Sequence, residues 1–295
     1  MAISPPDMPQ YVDLHCHSTA SDGTLAPADV VRLAKESGLV GLSLTDHDTV
    51  AGIAEATEAA KSLGLMFIPG IEISCTYPSP GTMHLLGYGI DPQSAVLQDM
   101  TRQLIDARNN RNPRIIAKLN ELGVAITMAE AEAQAGGDVI GRPHVAAVLA
   151  RKGYVSSIKQ AFDKYLGQGA PAYFDKERLS PAQAIGLVRD SGGIAVLAHP
   201  VQLRTSNDAE LARVVKDLVD LGLEGIETIH SDHDAGMVEK YSELAKRFAL
   251  LPTGGSDFHG RNKENIQLGR AGGRRVEREM LDNLLARLRS RPARQ

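Results

Sequence analysis

Apolar positions along the chain fall into two rhythms. Seven short β-rich runs, YVDLHC, LVGLSLT, MFIPGIEISC, MHLLGYGI, GIAVLAH, GIETIH and LLPTGG, are bounded by turn residues and predict about seven strands. Between most of them the apolar positions recur with a helical period, over residues 26–37, 49–63, 181–191, 208–221 and 235–248. Pro27 near one helix start, and Gly38, Gly64 and Gly222 just past helix ends, mark the boundaries. Strands that alternate with helices pair in parallel through right-handed crossovers, so the pattern predicts a distorted seven-stranded (β/α) barrel of the TIM-like kind. One stretch breaks the rhythm. From 94 to 168 helical patterns follow one another with no strand between them, which predicts a small α-helical subdomain inserted between barrel segments 1–93 and 169–295. REMLDNLLARLRS reads as a final amphipathic helix and RPARQ as a frayed tail.

Composition narrows the function classes. The 295 residues, 43% hydrophobic and 23% charged, suffice for a sizeable core, and no apolar stretch approaches the roughly 20 residues of a membrane span. MAISPPDMPQ lacks the basic and apolar regions of an export signal, which points to a short leader and the cytoplasm. A net charge of −4 argues against binding long duplex nucleic acid, while leaving small anionic substrates open. No obligate protein partner is evident. Cys16 and Cys75 lie inside apolar runs and read as reduced core thiols.

The chemistry lies at the strand ends. The first strand ends in Asp13, His15 and His17, followed by Asp22; the second in Asp46, His47 and Asp48; the third in Glu72. His84 lies on the fourth, His199 closes the fifth, His230 and His233 follow the sixth, and Asp257 and His259 end the seventh. In parallel α/β folds that rim is where loops converge and ligands bind. His15 and His17 are two apart, so on an extended strand they face one way and can share a cation; Asp257 and His259 repeat the spacing. Imidazoles with carboxylates suit Mn, Zn or Fe, and so many ligands exceed the needs of one ion, implying two or three divalent cations.

Six ordered segments, DLHCHSTASDGT, LSLTDHDTV, IPGIEIS, HLLGYGI, VLAHP and GGSDFHG, resemble the successive motifs of the PHP (polymerase and histidinol phosphatase) family, across nearly the whole chain. Within it the likeness is greatest to nucleoside 3′,5′-bisphosphate phosphatases and related 5′-to-3′ exoribonucleases, whose helical insertion carries a GRPH-type element, here Gly141, Arg142, Pro143 and His144. The resemblance implies one metal on His15, His17, Glu72 and Asp257, a second sharing Glu72 and adding His84 and His199, and a third on Asp22, His47 and His259. Asp22, an oxygen ligand where some relatives supply histidine, leans the choice toward Mn. It also implies a metal-dependent phosphoesterase that takes the 3′-phosphate from nucleoside 3′,5′-bisphosphates and trims short 5′-phosphorylated RNA. Asp257 or bulk water would accept the proton from the attacking water, and alanine at Asp257 or His199 would lower turnover by orders of magnitude.

Arg142 and His144, at a helix start, either bind a second phosphate or only cap the helix. Arg204 is a further phosphate candidate, ahead of Lys176, and His233 and His230 are candidates either for supporting the metal ligands from behind or for the substrate edge. Asp13, Asp46 and Asp48 are placed to orient ligand imidazoles. RNNRNPR reads as a solvated helix face, or else as a track for a nucleotide strand. Three other functions fit part of the pattern: a histidinol-phosphatase-like enzyme, a C–N bond amidohydrolase, which shares the His-x-His element, and a non-catalytic metal-binding module.

Overall fold

The computed structural model describes residues 9–135 and 139–291; the leader, most of the RPARQ tail and the end of the ITMAEAEAQAG segment lie outside them. Eight strands form one mixed sheet: β1 (Tyr11–Asp13), β2 (Gly41–Leu44), β3 (Met66–Cys75), β4 (Met83–Tyr88), β5 (Ile194–Leu197), β6 (Gly225–Ile229), β7 (Leu251–Gly254) and β8 (Val276–Glu277), in the order β7-β6-β5-β4-β3-β2-β1-β8. The sheet curls almost shut. The seam between its ends is bridged by Leu14 N–H to Gly254 O, Asp257 N–H to His15 O and His17 N–H to Phe258 O, at 3.3, 2.8 and 2.9 Å. A distorted barrel results, with helices around it, as the alternation of periods predicted.

Two features depart from an all-parallel seven-strand barrel. β8 adds an eighth strand, antiparallel to β1. β4 runs antiparallel to both β3 and β5, because the short link from Cys75 to Met83 has room for a turn but not for a crossover helix. The reversal places the start of β4, not its end, at the rim where β3 finishes, and Ser74 pairs with His84 there.

Around the barrel lie α1 (Pro27–Glu36), α2 (Ile53–Leu63), α7 (Pro181–Asp190), α8 (Asp208–Asp220), α9 (Ala235–Arg247) and α10 (Arg278–Arg289). Pro27 occupies the first turn of α1 and Gly64 closes α2 at φ 60°. α2 starts four residues later than its period predicted, because the chain first turns through Asp48 at φ 56°. The inserted stretch forms α3 (Ala95–Glu121), α4 (Met128–Gln134), α5 (Arg142–Arg151), α6 (Ile158–Ala161) and a π-helical turn, Phe162–Leu166.

The barrel core is built from Val12, Leu14, Ile71, Ile73, Leu85, Leu197 and Ile226 among others, all buried. A separate apolar cluster runs from Ile115 to Ala172 within the helical segment. α3 serves both: Leu97 and Leu104 pack into the barrel core, Ile115, Ile116 and Leu119 into the second. Cys16 and Cys75 are buried and free. Among the described residues no helix is long and apolar enough to cross a membrane.

Candidate active site

β1, β2, β3, β5 and β7, with the reversed β4, deliver their polar residues to one end of the barrel. Glu72 is the hub. Its Oε2 lies 3.4 Å from His15 Nε2, 3.2 Å from His17 Nε2 and 2.9 Å from His47 Nδ1, while its Oε1 lies 2.8 Å from both His84 Nδ1 and His199 Nε2. Asp257 Oδ1 closes the first of these groups, 3.3 Å from His17 Nε2. Asp22 faces His259 Nε2 at 3.2 Å and His17 Nδ1 and His47 Nε2 at 3.9 Å each. All nine residues thus meet, in three overlapping groups around Glu72, Asp257 and Asp22.

The local backbone is bent to allow this. Asp257 (φ 57°) and His199 (φ 24°) are non-glycine residues at positive φ, a conformation held only where the surroundings impose it. For His199 the hold is visible: its N–H donates to Glu227 Oε2 at 2.7 Å. Gly255 runs so close to β1 that a side-chain carbon there would lie 2.3 Å from His15 Cβ.

The donors fit divalent cations. His15 Nε2, both ring nitrogens of His17, His47 Nδ1, Glu72 Oε2 and His199 Nδ1 are buried with no hydrogen-bond partner among the described residues, a state a protein interior rarely leaves uncompensated. Ring hydrogens are already engaged elsewhere: His15 Nδ1 donates to Glu227 Oε1 at 2.9 Å and His259 Nδ1 to Asp257 O at 2.9 Å, so their Nε2 lone pairs face the cluster. Charge sharing is strong. Burial alone would raise the Glu72 pKa, but the imidazoles of His47, His84 and His15 hold it well below the usual carboxylate range. Burial would lower that of His17, yet the adjacent carboxylates of Asp257 and Glu72 carry it to about 9.

Residues 13–178 match the PHP domain. The chain belongs to the PHP family. It is 36% identical over 252 residues to a 5′-3′ exoribonuclease of Haemophilus influenzae, covering 85% of this chain and 91% of that one. A 3′,5′-nucleoside bisphosphate phosphatase of Chromobacterium violaceum is 34% identical over 84% of this chain and 87% of its own. Among solved structures, a protein of Bifidobacterium adolescentis described as a metal-dependent phosphoesterase superposes with TM-score 0.84 at 31% identity, over 95% of this chain and 98% of that one. This PHP protein is a metal-dependent phosphoesterase.

Beside the cluster stands a cationic wall. Arg108 and Lys176 both pair with Asp48, whose carboxylate also accepts the Ser74 N–H at 2.8 Å. Arg111, 5% exposed, bonds only the Oδ1 of its neighbour Asn112 among the described residues, at 2.9 and 3.3 Å. Burial, with the guanidiniums of Arg142, Arg108 and Arg178 nearby, lowers its pKa to about 9. Burial and Arg108 lower Lys176 to about 7. A groove of about 380 Å³ opens along α3, with Arg111, Arg114 and Lys176 but also Asp106, Asp175 and Glu177 on its walls.

The remaining candidates divide. Arg142 begins α5, donates to Leu166 O at 2.9 Å and stacks 5.0 Å from the Tyr173 ring centre. His144 Nδ1 accepts the Gly141 N–H at 3.0 Å, so it does cap its helix; a carbon on Gly141 would lie 4.0 Å from Asp22 Cβ, which puts this helix start against the cluster. Arg204 is exposed on the loop after Pro200–Leu203, with no contact to the cluster among the described residues. His233 is 2% exposed, bonded through Nδ1 to Thr228 O at 3.0 Å and packed on Tyr241, with its ring 5.2 Å from that of His230. Asp13 serves the backbone, and Asp46 the backbone and the hydroxyls of Ser18 and Ser21, rather than ligand imidazoles. Asp13 accepts N–H groups of His15, Ser256 and Gly269, and Asp46 that of Ser18; Asp48 binds Ser74 and the two cations.

RNNRNPR is solvated on one side only: Asn109, Asn110, Pro113 and Arg114 are exposed, whereas Arg108, Arg111 and Asn112 are buried. Its signal was present: positions 97, 101, 104, 108, 111 and 115 continue one buried stripe, so the arginines stand where a core-facing residue belongs. Glu227 was missed too. A lone carboxylate inside the apolar run GIETI marks it, and it ties His15 to His199 across two strands. Lys263, paired with Asp257, carried no such mark.

Proposed function

We propose that the protein hydrolyses the 3′-phosphate of nucleoside 3′,5′-bisphosphates to leave 5′-monophosphates, and trims short 5′-phosphorylated oligoribonucleotides by the same chemistry. The observation that carries this reading is the buried guanidinium of Arg111, which pairs with no carboxylate among the described residues and stands among Arg108, Arg142 and Arg178 beside the His/Asp/Glu cluster. Two adjacent sites of this kind, one for cations and one for an anion, suit a substrate with a phosphate at each. The names borne by the Haemophilus and Chromobacterium relatives point the same way.

In this reading His15, His17, Glu72 and Asp257 hold one cation, Glu72, His84 and His199 a second, and Asp22, His47 and His259 a third. Manganese is our choice, with zinc or iron as alternatives, because oxygen donors accompany the imidazoles. Such ions supply Lewis acidity, acidifying water and neutralising phosphoryl oxygens. The chain's own part is to orient the ligands through Glu227, to accept a proton at Asp257, and to hold the second phosphate on Arg111 with Arg142 and His144. Residues 94–168 act as a cap over the pocket, and the cytoplasm is the compartment where such nucleotides occur.

The test is phosphate release after chelation and manganese addition, across adenosine 3′,5′-bisphosphate, 5′-monophosphate, histidinol phosphate and an amide panel. Turnover of the bisphosphate should far exceed that of the others. Equal rates on bisphosphate and monophosphate would rule out a site for the second phosphate.

A further inference from the structure

The two oxygens of Asp257 keep different company. Oδ1 faces the cluster, 3.3 Å from His17 Nε2 and 3.6 Å from His15 Nε2. Oδ2 is turned toward Lys263 Nζ and, at 3.3 Å, His230 Nε2. Neither of these two residues belongs to the three ligand sets.

His230 admits two readings, because its ring also lies within metal-binding reach of His15 and Glu227. The tautomer decides between them. His230 Nδ1 accepts the Asp232 backbone N–H at 3.0 Å, so the ring hydrogen sits on Nε2. An Nε2 that carries hydrogen has no lone pair for a cation; it is a donor, and although it makes no well-aligned hydrogen bond among the described residues, Asp257 Oδ2 lies 3.3 Å away, within reach of a small rotation. The ring is 1% exposed and fixed between those of His199 and His233, each 5.2 Å away. Asp257 needs such support, since its backbone sits at φ 57°.

We propose that His230 and Lys263 are positioning residues: together they hold Asp257 Oδ2, so that Oδ1 alone is presented to the cation shared with His15, His17 and Glu72. This rests on the reading of Asp257 as a metal ligand.

Equilibrium dialysis against manganese, together with kinetics on adenosine 3′,5′-bisphosphate, compares the unaltered protein with His230→Phe, His230→Gln and Lys263→Met. Phenylalanine fills the space without a donor, whereas glutamine returns an N–H near the position of Nε2. For His230→Phe the manganese dissociation constant should rise and kcat fall by roughly tenfold or more, with KM nearly unchanged, as is typical when the support of a metal ligand is lost. His230→Gln should recover most of both losses, and Lys263→Met should show a smaller change in the same direction. Unaltered affinity and kcat in His230→Phe, or a glutamine variant no better than phenylalanine, would overturn the proposal by making the ring a packing element. Should His230→Phe fail to fold, Lys263→Met decides the matter, since its side chain is 41% exposed; unchanged manganese affinity there overturns the proposal. An unaltered protein that binds no divalent cation would be recognised before any variant is compared. It would defeat the ligand reading itself, and this proposal with it.

Discussion

The rim of the barrel and the wall formed by α3 are both buried and both polar, yet each lacks what the other has in excess. At the rim, imidazole nitrogens and a glutamate oxygen point at one another with no hydrogen to share. Along the wall, guanidiniums crowd together with too few carboxylates, and one of them, Arg111, is left with an amide oxygen. Removing charges from water is costly unless they are paired. A cation satisfies the first region and an anion the second, and a phosphate ester bound to metal ions supplies both. Each region explains why the other is tolerated.

The contrast between rim and wall is most vulnerable at the hub. Glu72→Gln removes the charge shared by five imidazoles, and kcat should fall by at least roughly two to three orders of magnitude, the scale for losing a group that stabilises transition-state charge. Calorimetric titration should show lost manganese binding, while circular dichroism remains that of a folded protein. Retained manganese affinity would show that the rim is not organised around this residue.

A smaller effect belongs to the wall. Arg111→Met should raise KM for the bisphosphate by roughly ten- to a hundredfold, as for losing a charge-assisted hydrogen bond of about 1.5–3 kcal/mol, with kcat nearly unchanged. KM for a nucleoside 3′-monophosphate should not move. An equal rise for both substrates would deny the wall its separate anion.

The mildest effect is on pH dependence. Burial, with Arg108 beside it, lowers Lys176 to about 7, so below that pH the ammonium adds positive charge to the wall, and above it the charge is lost. On this basis kcat/KM, which follows the free enzyme, should decline as pH rises above about 7. In Lys176→Arg, whose guanidinium stays charged, that limb should move to higher pH. A limb that does not move assigns the ionisation elsewhere.

The rim was the more legible region. His-x-His and Asp-x-His at strand ends announce shared ligation through the two-residue period alone, and the ordered motifs bring His84 and His199 with them. The direction of β4 escaped, because its short link to β3 carries no periodic pattern that would separate a turn from a brief crossover, and so did the supporting Glu227 and Lys263. The wall was hidden for a different reason. Polarity patterns assign arginine to solvent, and Arg108 and Arg111 contradict that rule by occupying a core stripe whose burial arises only when the helix meets the barrel.

α3 carries leucines for one core and isoleucines for the other on a single rigid rod. Excising the helical segment at residue 94 would therefore strip Leu97 and Leu104 from the barrel, and a foreign helical segment grafted there would inherit the same wound. A workable splice has to leave the opening turns of this helix in place and cut beyond Arg111, so the arginines travel with the barrel, and exchangeable helical segments can vary around them.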